Sequence, residues 1–73
     1  MLPPLIRGID YEPAAKALTV RFAVGMYRYK GVPAEAFAAF SKAVAERGQV
    51  PDSDVLYFNR NIEGKFPSER LGP

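Results

Sequence analysis

Residues 27–33 read Tyr-Arg-Tyr-Lys-Gly-Val-Pro, and the character of the chain changes within them. The first four of these residues alternate aromatic and basic side chains with the period of two that is typical of a β-strand. Pro33 suits the first position of a helix, because the N–H group that proline lacks has no helical partner there. The stretch therefore predicts strands before it and helices after it.

The segment just before it, residues 17–24, has the alternation of a half-buried strand. Leu18, Val20 and Phe22 fall on one face, with polar residues between them. Gly25 can supply the positive φ of a tight turn, so the sequence predicts a hairpin that turns at Val24-Gly25.

This turn fixes which residues of the hairpin lie opposite one another. It places both tyrosines on the apolar face and two arginines side by side on the other face, where their like charges repel. A three-residue loop with a glycine bulge is an alternative, and a slip of one residue would turn the tyrosines outward. The predicted pairs are Phe22 with Tyr27, Val20 with Tyr29 and Arg21 with Arg28.

The remaining elements follow from shorter patterns. Residues 5–11 predict a first strand and residues 12–15 a loop. A helix is predicted from Pro33 to Arg47, with its apolar stripe covering the sheet. A second helix near Leu56–Glu63 would have Asp52 or Ser53 as its cap. The tail from Lys65 has no periodicity, although Phe66 or Leu71 could contact the core.

These patterns together predict a single α+β domain over all 73 residues. Its architecture is a three-stranded antiparallel β-meander, packed on one face by the main α-helix and followed by the short second helix. Residues 1–5 and 68–73 are expected to fray at the two ends.

The composition narrows the possible chemistry. The chain contains no cysteine and no histidine, which excludes disulfides, thiolate or imidazole metal sites and a histidine base. It carries no phosphate loop and no nucleophile beside a base. We therefore expect no enzyme activity, no cofactor and no metal. No segment is long and apolar enough for a membrane span or a signal peptide, so we expect a cytoplasmic protein without membrane contact.

The distribution of charge is more informative than the net charge of +2. No acidic residue occurs between Pro13 and Ala34, whereas this segment contains four cations. Arg21, Arg28 and Lys30 lie on the polar face of the predicted hairpin, where they could contact the phosphates of a nucleic acid. The alternative is that this face is an ordinary solvated surface. The four cations are Lys16, Arg21, Arg28 and Lys30.

Aromatic and amide side chains offer further contacts. Tyr27 and Tyr29 could stack on unpaired bases, or they could fill the core beside Val20. Asn59 and Arg60 could read base edges, although asparagine in a short helix more often bonds to the nearby main chain. The residues predicted to contact nucleic acid are Arg21, Arg28, Lys30, Tyr27, Tyr29, Asn59 and Arg60.

Four segments resemble the KTSC domain, a small module named for its place at the C-terminus of some lysyl-tRNA synthetases. The resemblance extends from about Ile6 to Leu71, and its most specific part is the tyrosine-x-tyrosine followed by Lys-Gly-Val-Pro. It implies RNA binding, which has been suggested for that family, whose members include stand-alone bacterial and phage-type proteins. Two features depart from the family pattern: the connection from Ala45 to Val55 is longer, and Phe66-Pro67-Ser68 replaces tyrosine-proline-tyrosine. The four segments are residues 9–11, 18–22, 27–33 and 57–67.

The sequence thus predicts a non-catalytic nucleic-acid-binding module, with RNA as its partner, that uses the basic hairpin face. The alternative is a small module that binds a protein or associates with itself, through the uncovered sheet face or an exposed strand edge.

Overall fold

The computed structural model describes residues 6–72 and contains one sheet and two helices. All four strands are antiparallel neighbours in chain order, so the sheet is a meander. The α+β class and the three predicted strands of the antiparallel meander are confirmed, and a fourth, C-terminal strand that was not predicted extends the sheet. The elements are β1 (Ile6–Glu12), β2 (Ala17–Phe22), β3 (Gly25–Tyr29), α1 (Ala34–Glu46), α2 (Ser53–Asn61) and β4 (Ser68–Gly72).

The fourth strand forms from the tail that was expected to fray. Residues 68–71 are all exposed, so no alternation of apolar and polar residues marks this segment as a strand. It is held by its pairing with β3, in which Ser68 lies opposite Tyr29 and Arg70 opposite Tyr27. Phe66 packs against the core, as one of the two expectations had it, whereas Leu71 is 39% exposed. Residues 1–5 and 73, also expected to fray, lie outside the described residues.

The β2–β3 hairpin turns one position earlier than predicted, at Ala23-Val24. Val20 therefore lies opposite Tyr27 rather than Tyr29, a shift of two residues along β3. Because side chains alternate with a period of two, this shift leaves both tyrosines on the predicted face. Gly25 belongs to β3 instead of the turn, and a Cβ atom there would lie 3.0 Å from the carbonyl oxygen of Gly72 on β4.

Both helices pack on one face of the sheet, which we call the covered face. The prediction that α1 alone covers it is wrong. Phe40 is the fully buried residue of α1, and the ring of Phe58 on α2 packs edge-to-face on Phe22 at 5.2 Å and on Tyr29 at 5.6 Å. Each helix therefore contributes at least one buried aromatic side chain to the covered face, Phe40 from α1 and Phe58 from α2.

The helix ends also differ from their predicted form. Pro33 is the residue that precedes α1, and α2 begins at Ser53, three residues before its predicted start. Asp52 is the N-cap residue of α2, as one of the two predictions had it, but its side chain makes no capping hydrogen bond. The Ser53 hydroxyl donates to the carbonyl of Ala43 at 2.6 Å. The hydroxyl thus ties the start of α2 to α1.

Arg47 follows α1 and joins three elements of the fold. Its Nη1 atom donates to the carbonyl of Ile6 on β1 at 2.7 Å and to Oδ2 of Asp54 on α2 at 3.3 Å. Asp54 is 4% exposed, and a buried carboxylate is costly unless it is paired. Arg47 therefore compensates a buried charge. Neither helix within residues 6–72 is long and apolar enough to cross a membrane.

Candidate functional site

The side of the sheet away from the helices, which we call the open face, carries a row of polar residues that crosses all four strands. Asp10 on β1 lies opposite Thr19 on β2, Thr19 opposite Arg28 on β3, and Arg28 opposite Glu69 on β4. Directly opposite side chains in a sheet lie about 4.5–5.5 Å apart at Cβ. The row therefore places one cation between two acids.

Glu69 is the counter-charge of the open face. Its Oε1 atom lies 3.7 Å from Nη1 of Arg28 and 3.7 Å from Nζ of Lys30. The three side chains are 45–58% exposed, and exposed ion pairs contribute only about 0–1 kcal/mol. One carboxylate thus serves two cations, so the Arg28–Lys30 pair keeps a surplus of positive charge.

Arg21 lies on the same open face but not beside Arg28. It faces Met26 across the hairpin, so the predicted repulsion between two directly opposed arginines is wrong. On its other side the Arg21 guanidinium lies over Gly8 of β1, where a Cβ atom would overlap it. Arg21 is exposed, and its guanidinium occupies the space that a side chain at Gly8 would take.

A groove of about 490 Å³ runs along the open face between β1 and β3. Its two sides differ in charge, because Asp10 and Glu12 come from β1 whereas Arg28 lies on β3 and Lys30 directly follows it. Sequence reasoning missed these acids and Glu69. The alternation of residues 9–12 could have indicated Asp10 and Glu12. Because Ile9 and Tyr11 pack toward the core, the residues between and after them point to the opposite face.

The tyrosines lie on the covered face, as predicted from the hairpin. Tyr29 is 6% exposed. Burial, followed by the charge of Glu63 and the nearby Tyr27, raises the pKa of Tyr29 from 10.0 to about 12. Tyr27 is half-buried, with its ring edge-to-face on Phe22 at 5.8 Å. The sheet itself separates both rings from the cations of the open face.

Asn59 and Arg60 are exposed on α2, in the helical layer behind the covered face. The predicted site residues therefore divide into three groups. The structure brings Arg21, Arg28 and Lys30 together on one surface, places the tyrosines among the aromatic residues of the core, and leaves Asn59 and Arg60 on a third surface.

The Tyr-Arg-Tyr-Lys-Gly-Val-Pro stretch is thus a strand and its exit to α1, fixed at Val32 by two hydrogen bonds. The Val32 N–H donates to the carbonyl of Lys16 at 2.9 Å, and the Val32 carbonyl accepts from the hydroxyl of Tyr11 at 2.6 Å. The family model of the KTSC domain matches residues 5–66, which include this stretch. The chain belongs to the KTSC domain family.

A solved structure agrees with this assignment. The chain is similar to a KTSC domain protein from Yersinia pestis whose crystal structure is known, with 34% sequence identity and a TM-score of 0.78. The likeness covers 92% of this chain and 84% of the Yersinia pestis chain. A search of curated proteins found no match.

The KTSC match ends at residue 66, before β4 begins at Ser68. Arg21, Arg28 and Lys30 therefore lie in the part that the family model covers, as do Asp10 and Glu12. Glu69, which pairs with two of the cations, lies beyond it. The counter-charge thus comes from a strand outside the matched residues.

Proposed function

We propose that this KTSC domain is a non-catalytic module that binds single-stranded RNA through the open face. The observation that carries the proposal is the position of Arg21, Arg28 and Lys30, which project from one exposed surface of the β2–β3 hairpin. RNA is the nucleic acid named because RNA binding has been suggested for the family that the sequence resembles.

The local charge supports contact with phosphate. The side of the open face away from β1 carries Arg21 on β2, Arg28 on β3, Lys30 directly after β3 and the acid Glu69 on β4, which gives that side a local charge of +2. The two ion pairs of Glu69 are exposed and 3.7 Å long, so phosphate oxygens can replace the carboxylate at little cost. Arginine can also bind phosphate through two parallel N–H groups.

The acids of β1 limit the size of the site. Asp10 and Glu12 line the far side of the groove and repel a polyanion, which confines the phosphates to the β2–β3 side. Three cations can neutralise about three phosphates, and for single strands the slope of log K against log salt is about −0.7 per phosphate. We therefore expect weak binding with a slope of about −2.

The test is a titration of a labelled RNA of about 12 nucleotides at about 50 and about 200 mM salt. Arg28→Glu and Lys30→Glu should each weaken binding about tenfold at the lower salt, because each adds a repulsive charge to the face. Lys42→Glu, an equal charge change on the exposed side of α1, is the matched control. An Arg60→Glu variant decides whether α2 contributes.

Two results would contradict the proposal. One is the absence of binding at the lower salt. The other is equal weakening by Lys30→Glu and Lys42→Glu, because the effect would then depend on total charge and not on the open face.

Self-association is a second candidate, and the two-sided groove favours it. A two-fold axis through the groove would bring Asp10 and Glu12 of one copy against Arg28 and Lys30 of a second copy. Sedimentation over a range of concentrations tests this arrangement. Arg28→Glu should abolish the dimer, and the double variant Asp10→Arg, Arg28→Glu should restore it. A chain that stays monomeric at every concentration rules the candidate out.

A further inference from the structure

A second concave surface lies on the covered face, at the end of the sheet where β2 turns into β3. It has a volume of about 360 Å³ and opens between this turn and the C-terminal end of α2. Neither the proposed RNA contacts nor the two-sided groove includes it. Its lining residues are Phe22, Val24, Tyr27, Tyr29, Phe58, Glu63, Gly64 and Ser68.

Four of these lining residues are aromatic, and their rings are fixed against one another. Phe22 contacts Tyr27 and Phe58 edge-to-face at 5.8 and 5.2 Å, and Phe58 contacts Tyr29 at 5.6 Å. Because three of the rings are almost fully buried, each contributes only a small area to the pocket wall. Tyr27 is half-buried and contributes more, as does Val24, which is 72% exposed.

Glu63 is the one charged residue among those that line the pocket. No ion-pair partner of Glu63 occurs within residues 6–72, although cations are abundant in this chain. Arg70 lies beside the pocket, because its Nη2 atom donates to the carbonyl of Val24 at 3.4 Å, but it does not line the pocket.

Among the residues that line the pocket, the single charge is negative. The charge of Glu63 acts on the Tyr29 phenol and, together with burial, helps to raise its pKa to about 12. Tyr29 therefore remains a neutral aromatic ring at physiological pH. The negative faces of aromatic rings attract organic cations within about 6 Å, and quaternary ammonium groups are bound in this way by aromatic cages.

We propose that this pocket binds an organic ammonium group that carries apolar substituents, held by the rings and by the carboxylate of Glu63. The apolar substituents fit the aromatic wall, and the positive charge fits the carboxylate of Glu63, which has no ion-pair partner among the residues that the structure describes. A phosphate or carboxylate ligand is repelled by the same residue. The proposal does not rest on RNA binding, because the sheet separates this pocket from the open face.

The first experiment is an NMR titration of the ¹⁵N-labelled protein with choline, alongside its neutral carbon isostere 3,3-dimethylbutan-1-ol. The two probes have the same shape and differ in charge. Choline should shift the amide signals of the lining residues with a Kd of about 1 mM, as expected for one small group on an open pocket. The neutral probe should bind at least about fivefold more weakly, because it lacks the cation–π and carboxylate attraction.

Two variants test the residues. Glu63→Gln keeps the shape of an exposed side chain and should weaken choline binding about fivefold; Glu46→Gln, at the end of α1, should leave it unchanged. Tyr27→Ala should weaken choline binding about two- to tenfold through loss of a ring. Tyr27→Phe should retain binding, which separates loss of the ring from loss of the hydroxyl.

The source of the cation is assigned by a further titration with a short peptide that contains one trimethyllysine. Tighter binding of the peptide than of choline assigns the site to a modified protein side chain, and equal binding assigns it to a small free cation. Equal affinity for choline and its neutral isostere would overturn the proposal. So would the absence of shifts at the lining residues up to about 50 mM choline, well above the expected Kd.

Discussion

The two faces of β3 carry alternate residues of the same motif, yet they behave as different kinds of surface. On the covered face, Tyr29 is 6% exposed and packs on Phe58. On the open face, Arg28 is about half exposed and forms a 3.7 Å ion pair. Burial makes the first set costly to alter, whereas solvent makes the second set free to exchange partners. Tyr29 therefore contributes to the stability of the domain, whereas Arg28 can exchange its partner.

The largest difference between the faces should appear when an aromatic residue of the covered face is removed. Phe58→Ala should lower the free energy of unfolding by about 3–5 kcal/mol, because it empties a site that contacts Phe22, Phe40 and Tyr29. Urea denaturation measures the change. Leu56→Ala, at a position 49% exposed on the same helix, is the matched control and should change it by less than about 1 kcal/mol.

The pH dependence of stability should report the burial of Tyr29. Its pKa rises from 10.0 to about 12 on folding, so the neutral phenol favours the folded state. This stabilisation is complete below pH 10, and it is lost as the pH rises toward 12. Two pKa units correspond to at most about 2.7 kcal/mol.

Tyrosinate absorbance measured from pH 9 to 13 tests this expectation. One of the four tyrosines should titrate about two units above an ordinary phenol, and Tyr29→Phe should remove that late transition. A single transition near pH 10 in the wild-type protein would mean that Tyr29 is accessible, and the contrast between the faces would then be smaller than described.

A buried and an exposed ion pair should differ in their contribution to stability in the same way. Arg47→Ala leaves the carboxylate of Asp54 buried without its cation and should cost about 1–3 kcal/mol of stability. Arg28→Ala removes an exposed pair and should cost less than about 1 kcal/mol. Thermal or urea unfolding of both variants tests the difference. Asp54→Asn in the Arg47→Ala background should recover part of the loss, because it removes the unpaired charge.

The smallest expected effect concerns Glu69. Glu69→Gln removes the carboxylate that Arg28 and Lys30 share, so RNA affinity should rise about two- to fivefold while stability changes by less than about 1 kcal/mol. The RNA titration described above, at the lower salt, measures the gain. A loss of affinity would show that β4 contributes contacts of its own. Glu46→Gln, at the end of α1, controls for the change in net charge.

In the β2–β3 hairpin, the sequence predicts the face on which each side chain lies but not the pairing of the strands. Alternation predicts that Tyr27 and Tyr29 lie on the apolar face, and the structure confirms it although the turn lies one position earlier than predicted, because a shift of two residues preserves the face. The pairing itself was not predictable from Gly25. That glycine serves a close approach to β4, a strand that the alternation of the chain did not indicate.

The candidate site shows the corresponding limit. The absence of acids between Pro13 and Ala34 pointed to a basic surface, but a sheet brings together residues that are distant in sequence. Asp10 from β1 and Glu69 from β4 lie on the same open face as Arg28. A count of charges along the chain cannot detect this arrangement, because the registers of three strand pairs decide it.

The sequence by itself determined which long segments are strands and which are helices, through the spacing of their apolar residues. It also determined the faces of the hairpin, the α+β class and the family to which the chain is similar. Each of these depends on local spacing or on a contiguous motif, which the chain carries without reference to its fold. The tertiary structure decided the fourth strand, the division of the covered face between two helices, the pairing of Arg47 with Asp54, and the charge balance of the open face. These depend on contacts between residues that are distant along the chain, and the energy of such contacts comes from burial and register, which exist only after the chain has folded.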